Sequence, residues 1–361
     1  MTTLNKTVIV NVRVFDGRSI SDLKTVVIDG DKIGEDASGA TIVDGAGGFL
    51  LPGFIDCHVH LLEIGHLELL SSYGVTTALD MGTNSIELLR SMKGHSGLTD
   101  IRGCGIVATK AGTRHSQMPG TNPESLVANA EEAAVFIRNR VSDGSDYIKI
   151  VADVPNGPDL DTIRALVANA HQHSKLTIAH AITSPSVRLA LEAGVDVITH
   201  APVDRPLDDE VVSSMVRDGR IIVPTLSMME GIVNSGRIPF PVKYKNAEES
   251  ITALYKAGVP ILVGTDANVA LGVPANIPHG DSLHHEMELL VRAGMSTLDT
   301  LRAATSLPAK YFGLGDRGAI EPGKRADLVL LAENPMDDIR ATRSIKRVWL
   351  GGIERPQVAS S

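Results

Sequence analysis

The strongest constraint in this sequence is a series of short apolar runs that each end at a residue able to bind a metal ion. The first run, residues 54–58, leads into His58 and His60. Successive side chains of a strand point to opposite faces, so these two imidazoles point the same way. A lone His-x-His pair is weak evidence for a metal site. Later apolar runs, however, also lead to residues that can take part in a metal centre: Lys149, His180, His200 and Asp266. The series predicts a metal centre at one mouth of a barrel.

From Pro52 onward a strand-like segment followed by a helix-like segment repeats along the chain. Eight segments have the length and composition of parallel strands: residues 54–58, 76–80, 101–108, 147–151, 176–180, 197–200, 221–226 and 261–264. Apolar residues recur every three or four positions, as on the buried face of a helix, in residues 125–140, 160–173, 186–193, 208–217, 247–257, 283–293 and 298–304. This rhythm predicts an α/β fold with a (β/α)8 TIM barrel over residues 53–309.

Both ends of the chain are rich in short strand signals. Near the amino end these are residues 7–14, 25–28, 41–43 and 49–51, with a hairpin turn at Asp29-Gly30. Near the carboxyl end they are residues 326–331 and 345–350. We therefore expect a small discontinuous β-sandwich domain made of residues 1–52 and 310–361.

Composition narrows the class of partner and the compartment. The 361 residues carry a formal net charge of -9 without a marked run of Lys or Arg, which argues against nucleic acid or an anionic membrane as a partner. No stretch approaches the ~20 apolar residues of a membrane span. The two cysteines, Cys57 and Cys104, lie in apolar runs, so a disulfide framework is excluded and a reducing, cytoplasmic location is expected.

Several motifs resemble those of the amidohydrolase superfamily. They are Pro-Gly-Phe-Ile-Asp-Cys-His-Val-His at residues 52–60, Tyr-Ile-Lys-Ile at 147–150, Val-Gly-Thr-Asp-Ala at 263–267 and Glu-Pro-Gly-Lys-Arg-Ala-Asp-Leu-Val-Leu at 321–330. Shorter matches, such as Gly-Val-Thr-Thr at 74–77 and Ala-Gly-Met at 293–295, are similar to the branch of imidazolonepropionase-like and Xaa-Pro dipeptidase-like hydrolases. The resemblance runs through nearly the whole chain.

The resemblance implies two divalent metal ions. His58, His60 and Asp266 would bind the first ion, and His180 and His200 the second, with Lys149 between them. Because an ammonium group cannot ligate a cation, this role implies that Lys149 is carboxylated to an anionic carbamate. Imidazole and carboxylate ligands suit zinc, while manganese, iron, cobalt and nickel remain open.

The implied reaction is hydrolysis of an amide bond, peptide-like or N-acyl, in a small molecule. A metal-bound hydroxide would attack the carbonyl carbon, and Asp266 would carry the proton to the leaving amine. The same centre could instead serve an esterase, a lactonase or a phosphotriesterase. A non-catalytic scaffold is the alternative from another class, and it predicts missing ligands, whereas none of the expected ones is missing here.

Candidates for substrate contact lie in the loops after the third, seventh and eighth predicted strands. Arg114 and His115, with Lys110, either bind a carboxylate or carbonyl oxygen or are solvated loop charges. Met228 belongs to an apolar segment that either lines a pocket or packs its loop down, and Asn268 begins a long loop rich in Gly and Pro.

Other residues near the predicted centre are given supporting roles. Asp56 and Asp153 are candidates for orienting a ligand imidazole, while His279, His284 and His285 are expected to support the site or to lie on a helix surface. A small-molecule substrate is expected, and a homo-oligomer is left open.

Overall fold

The computed structural model describes residues 6–356. Its strands are β1 (Thr7–Phe15), β2 (Ile20–Asp29), β3 (Lys32–Gly34), β4 (Thr41–Asp44), β5 (Phe49–Pro52), β6 (Phe54–Val59), β7 (Val75–Asp80), β8 (Asp100–Gly103), β9 (Ile148–Val151), β10 (Thr177–His180), β11 (Val197–Thr199), β12 (Ile221–Val223), β13 (Leu328–Leu331), β14 (Ile345–Leu350) and β15 (Ile353–Glu354). Its helices are α1 (Gly65–Ser72), α2 (Ile86–Ser91), α3 (Ala130–Asp143), α4 (Leu160–Gln172), α5 (Ser184–Glu192), α6 (Asp209–Arg217), α7 (Leu226–Ser235), α8 (Tyr244–Lys256), α9 (Asp281–Arg292), α10 (Thr297–Ala303) and α11 (Ser306–Tyr311). Strands and helices alternate from β6 to β12, so the predicted α/β class is confirmed.

Strands from the two ends of the described chain form one mixed sheet. Its order is β15-β14-β13-β5-β1-β2-β3, and β4 pairs with β1. One face of this sheet buries its own apolar cluster, which includes Ile9, Ile28, Leu50 and Trp349. The two ends therefore meet as expected, whereas the sandwich arrangement and the domain bounds stay predictions. Those bounds include residues 1–5 and 357–361, which lie outside the described residues.

The central strands form two parallel sheets that are linked by single bridges. One sheet has the order β6-β7-β8 and the other β12-β11-β10-β9. Parallel bridges connect Ala108 to Ile150, Ile222 to Ile261 and Val59 to Ala267. The carboxyl ends of the strands in each sheet lie on one edge, which is where the predicted ligands stand.

Burial follows from this layered arrangement. Every residue of β6, β7 and β9 is buried, as expected for parallel strands that are covered on both faces. Alternate residues such as Ile55 and Cys57 in β6 and Ile221 and Val223 in β12 belong to one apolar cluster. The helices pack on the strands through their own apolar stripes, and several begin at a side-chain cap, for example Asn129 before α3.

Several predicted elements have different bounds in the structure. The helix predicted from residue 125 begins at Ala130, because Leu126 is extended and bridges to Thr109. The strand predicted over residues 101–108 ends at Gly103, since Gly105 turns the chain at a φ of +69°.

Two further differences lie at the seventh and eighth predicted strands. The strand predicted over residues 221–226 ends at Val223, because Pro224 has no N–H to donate and α7 begins two residues later. The segment predicted as a strand at residues 261–264 pairs through the single bridge of Ile261 with Ile222. Within residues 6–356, no helix is long and apolar enough to cross a membrane.

Arg317 connects the segment after α11 to β7 and β8. Its guanidinium is buried and donates to Asp100 Oδ2 at 2.7 Å and to Thr77 Oγ1 at 2.8 Å. Despite burial, the neighbouring carboxylates of Asp316 and Asp100 raise its pKa, so the charge is retained. Removing one partner of a buried ion pair leaves the other uncompensated.

Replacing Arg317 by Leu is therefore expected to lower the free energy of unfolding by about 3 kcal/mol. Arg340→Leu is the matched control, because its pair with Asp338 is solvent-exposed and is expected to contribute little to stability. Urea unfolding of both variants checks this. Small losses of stability of equal size in the two variants would show that Arg317 does not stabilise the contact of its segment with β7 and β8.

Candidate metal centre

Five of the six predicted ligands lie at or near the carboxyl ends of the parallel strands, and Lys149 lies within its strand. His58 is in β6 and His60 follows it, Lys149 is in β9 and His180 is the last residue of β10. His200 follows β11 directly. Asp266 precedes Ala267, which bridges to Val59, so the last predicted strand brings its carboxylate beside β6.

His58, His60 and Asp266 form one compact group. The Nε2 atoms of His58 and His60 lie 3.4 and 3.2 Å from the same oxygen, Asp266 Oδ1. That oxygen and His58 Nδ1 are buried without a hydrogen-bond partner. Two imidazoles and a carboxylate whose ligand atoms lie within 4.8 Å of one another are a donor set that fits a divalent cation.

The protonation of the two imidazoles differs. Burial, with the charge of Lys149 as the next cause, lowers the pKa of His58 well below its usual value. Burial also lowers the pKa of His60, but the Asp266 carboxylate outweighs it, so that pKa is raised. His58 is therefore neutral, which is the form that ligates a metal.

His180 and His200 lie next to this group. Their ring centroids are 4.4 Å apart, and the rings of His58 and His200 are 5.0 Å apart. Burial lowers the pKa of both His180 and His200 well below the usual value. Two neutral imidazoles thus stand beside the first group, as a second ion would require.

Lys149 is buried at the base of these histidines. Its Nζ donates to Thr199 Oγ1 at 2.7 Å, and only 3% of the residue is exposed. Burial lowers the pKa of Lys149 to about 8, although Asp266 acts in the opposite direction. A substantial fraction of the amine is therefore neutral near physiological pH, and the neutral form is the one that carbon dioxide can carboxylate.

Three residues of this region adopt left-handed backbone conformations. The φ angles are +78° at His200, +49° at Thr225 and +56° at Asp266. Such conformations cost about 1–3 kcal/mol each in residues other than glycine, and they persist where the surrounding structure enforces them. Two of these residues, His200 and Asp266, are predicted ligands, and Thr225 contacts one of them.

Backbone carbonyls and hydroxyls hold the ligand rings. His60 Nδ1 lies 3.1 Å from the carbonyl oxygen of Gly82, and His200 Nδ1 lies 2.8 Å from Thr225 Oγ1. The prediction that Asp56 orients an imidazole is wrong: its carboxylate accepts hydrogen bonds from the His58 N–H and from Thr265, so it fixes the backbone. Burial raises the pKa of Asp56 to about 7.

A second group of ligand atoms was not predicted as a set. Asp153 lies between His115, with Nδ1 3.6 Å from its Oδ2, and His180, with Nε2 3.6 Å from its Oδ1. These three residues also converge closely enough to hold an ion. Burial raises the pKa of Asp153, but His115 and His180 outweigh it and hold that pKa below its usual range. His180 thus belongs to both groups.

The sequence matches the model of a known protein family. The model of the amidohydrolase family matches residues 49–353, most of the chain. The chain belongs to the amidohydrolase family. The resemblance seen in the motifs is thereby confirmed, and with it the expectation of a hydrolase.

Individual proteins are similar to this amidohydrolase over most of its length. An uncharacterized protein of Mycobacterium tuberculosis (strain ATCC 25618 / H37Rv) is 29% identical over 336 residues, covering 86% of this chain and 85% of the relative. Ochratoxinase of Aspergillus niger is 26% identical over 257 residues, covering 64% of this chain and 51% of the relative. The crystal structure of a Xaa-Pro dipeptidase with bound methionine superposes with a TM-score of 0.84 at 23% identity, covering 97% of this chain and all of the other.

The predicted substrate contacts of the amidohydrolase lie in different environments. Arg114 is exposed and donates to the carbonyl oxygen of Gly272, which joins two loops. His115 is half-buried, with its ring 4.4 Å from that of His180. Met228 is buried in the core, and the amide oxygen of Asn268 accepts from the N–H of Ala270.

The three histidines of the amidohydrolase that were expected to support the site or to lie on a helix surface have structural partners. His279 Nε2 lies 3.0 Å from the carbonyl oxygen of His60, and its ring stacks on His66. His284 is buried against Tyr73 and Thr342. His285 pairs with Glu230 on the helix surface. His279 supports a predicted ligand, as the sequence led us to expect.

Lys149→Met is expected to stabilise the metal-free amidohydrolase at pH 7 by about 3 kcal/mol, because folding lowers the lysine pKa from 10.5 to about 8. Between these two values the unfolded wild type binds more protons than the folded one, so its stability rises with pH. The advantage of the variant should therefore shrink from pH 8 to above pH 10.

Urea unfolding across this range checks it, with Lys256→Met as the exposed control. An advantage that does not change with pH would contradict it.

Proposed function

We propose that this chain is a two-ion, metal-dependent hydrolase that cleaves the amide C–N bond of a small molecule. The observation that carries the proposal is the convergence of His58 and His60 on Asp266, next to His180 and His200. Neutral imidazoles, a carboxylate oxygen without a partner and a buried lysine of lowered pKa are the groups that such a centre needs. Membership of the amidohydrolase family supports the same reading.

Each ligand has a proposed place. His58, His60 and Asp266 would hold one ion, and His180 and His200 the other. Lys149, as its carbamate, would be shared between the two ions. Its amine is buried on β9, which pairs with β10 on one side and bridges to Ala108 on the other. We propose zinc as the ion, since imidazole and carboxylate ligands suit it. When bound, the ions supply an activated water and polarise the scissile carbonyl.

Asp266 is the residue that moves the proton. Its carboxylate has two oxygens, so one can ligate the ion while the other accepts a proton from the attacking water. The water oxygen bonds to the carbonyl carbon, the C–N bond breaks, and Asp266 returns the proton to the leaving nitrogen. One carboxylate thus acts as base and then as acid.

The substrate would bind above these ligands, near the loop after β8. His115 is placed beside His180, and Arg114 at the loop surface offers a guanidinium for a carboxylate of the substrate. The similarity to ochratoxinase supports a hydrolase of organic small molecules. Met228 and Asn268 remain proposed contacts, although each side chain has a structural role in the described residues.

The architecture that we propose for this function is a (β/α)8 barrel over residues 53–309 with a discontinuous β-sandwich domain. The two parallel sheets, β6-β7-β8 and β9-β10-β11-β12, and the isolated parallel bridges at Ala108, Ile261 and Ala267 that link them support the barrel. A cytoplasmic location, a small-molecule substrate and a homo-oligomer also stay proposals.

The test is a panel of matched substrates. The purified protein, loaded with zinc or manganese, is assayed against N-acyl amino acids, dipeptides, and the corresponding esters and lactones. We expect release of the amino component from at least one amide, with loss of activity after chelation and recovery when the metal is restored. Turnover of esters or lactones alone by the fully loaded protein would overturn the assignment to C–N bonds.

A further inference from the structure

The helix that follows the seventh predicted strand begins in an unusual way. Thr225 stands at the N-cap of α7 but makes no capping hydrogen bond with its side chain. Thr183, at the N-cap of α5, shows the usual arrangement, in which the hydroxyl accepts from the N–H of Ser186. The hydroxyl of Thr225 is used elsewhere: its Oγ1 lies 2.8 Å from Nδ1 of His200.

A carboxylate from another helix does the capping. Glu286, in α9, is fully buried, and its Oε1 accepts from the N–H of Leu226 at 2.8 Å. Its Oε2 accepts from the N–H of Ser227 at 2.7 Å and from the Ser227 hydroxyl at 2.8 Å. Burial raises the pKa of Glu286 to about 8, against the hydrogen bonds from Ser227 and Leu226, which lower it; the capping geometry needs only the acceptor oxygens of this side chain. The orphan donors that an N-cap threonine would serve are therefore already satisfied.

We propose that Glu286 is a positioning residue for the metal centre, because it caps α7 in place of Thr225 and so leaves the Thr225 hydroxyl to fix the ring of His200. The inference rests on the proposed function, in which His200 is a metal ligand. With Nδ1 held by Thr225, Nε2 is the nitrogen of His200 that can face an ion. A hydrogen bond to the other ring nitrogen fixes the tautomer and the orientation of a ligating histidine.

The left-handed conformation of Thr225 fits this role. A β-branched residue at a φ of +49° is unfavourable, and the bonds of Glu286 to the next two residues hold the chain in that turn. Without the carboxylate, the hydroxyl of Thr225 would be drawn to the free N–H groups of α7. His200 would then lose the partner that sets its ring.

Ion affinity in a double-mutant cycle tests the proposal. Thr225→Val and Glu286→Gln are each expected to weaken the more weakly bound zinc ion by about 10–100-fold, measured by competition with a chromophoric chelator. Thr225→Ser should keep near-wild-type affinity. Glu286 acts through Thr225, so the effects of the two substitutions should not add. The zinc affinity of the double variant should be no lower than that of the single variant with the lower affinity.

The controls separate positioning from general stability. Asp208→Ala removes the cap of α6, which touches no predicted ligand, so it should lower the melting temperature without changing zinc affinity. If Glu286→Gln does not fold, Glu286→Asp, which keeps the carboxyl group but shortens its reach, takes its place. Unchanged zinc affinity in the Glu286 variant, or additive losses in the double variant, would overturn the proposal.

A metal-free measurement distinguishes failure of this inference from failure of the proposed function. Wild-type protein that binds no zinc would contradict the proposed function itself. In that case long-range ¹H–¹⁵N spectra of the protein labelled with ¹⁵N-histidine still report the tautomer of His200. The inference requires a proton on Nδ1 in the wild type and a changed tautomer population in both Thr225→Val and Glu286→Gln. The same tautomer in all three proteins would overturn it.

Discussion

Replacing Asp266 by Asn is expected to lower kcat by about 10²–10⁴-fold while much of the bound metal is kept. The amide oxygen of Asn can still approach an ion, but the side chain cannot accept and return a proton at neutral pH. The geometry that makes this change informative is the convergence of His58 and His60 on Oδ1 of Asp266. kcat on the best amide of the substrate panel, together with metal analysis of the same sample, checks the prediction.

Asp208→Asn is the matched control for Asp266→Asn. It makes the same chemical change at the exposed N-cap of α6, where Asn caps as well as Asp. Its kcat should equal that of the wild type. Near-normal turnover in Asp266→Asn would show that another group carries the proton. Loss of all metal would show instead that the carboxylate charge is needed for binding.

Replacing Lys149 by Ala is expected to lower the metal content from two ions per chain to one and to abolish most of the activity. The carbamate would be the ligand shared by the two ions, and alanine offers no donor in its place. Lys149 is the one lysine of β9, and its buried amine donates to Thr199. No other lysine of this strand can therefore take its place. Elemental analysis of the purified variant after dialysis against zinc and bicarbonate gives the count.

Lys256→Ala, an exposed change at the end of α8, controls for the loss of a lysine charge and should leave two ions. Addition of a short carboxylic acid such as formate or acetate to Lys149→Ala should restore part of the second ion, because a small carboxylate can occupy the space of the carbamate. Two full ions in Lys149→Ala without any addition would refute the bridging role.

The positions of the six predicted ligands could be read from the sequence because five of them stand near the end of an apolar run and Lys149 lies within one. Strand alternation places His58 and His60 on one side, and parallel strands bring their carboxyl ends to one edge. The pairing of strands from the two ends of the chain could also be predicted, because strand-like segments at each end need partners in a sheet. These features depend on local patterns that a single sequence contains.

The supporting residues could not be read in this way. Thr225 and Glu286 are 61 positions apart, and nothing in their local patterns indicates that one replaces the other as a cap. The left-handed φ of His200 and Asp266 arises from packing around the site and has no glycine to signal it. Thr199 was missed because a threonine in an apolar strand is ordinarily a packing residue.

The role of the loop after β8 was also only partly predictable. A helical pattern suggested a start at residue 125, but the bridge of Leu126 to Thr109 extends this segment, so α3 begins after the cap of Asn129. The same loop carries His115 to within 3.6 Å of Asp153. Asp153 was expected to orient an imidazole, and it lies between two of them, in a position that depends on the path of this loop.

A crystal structure of the protein purified with its metal, with anomalous scattering measured at the zinc edge, tests the central claim most directly. The account predicts two anomalous peaks, one at His58, His60 and Asp266 and one at His180 and His200, with carbamate density continuing from Lys149 Nζ. A single peak with a bare Lys149 amine, or a second peak held by His115 and Asp153 in place of His200, would contradict it.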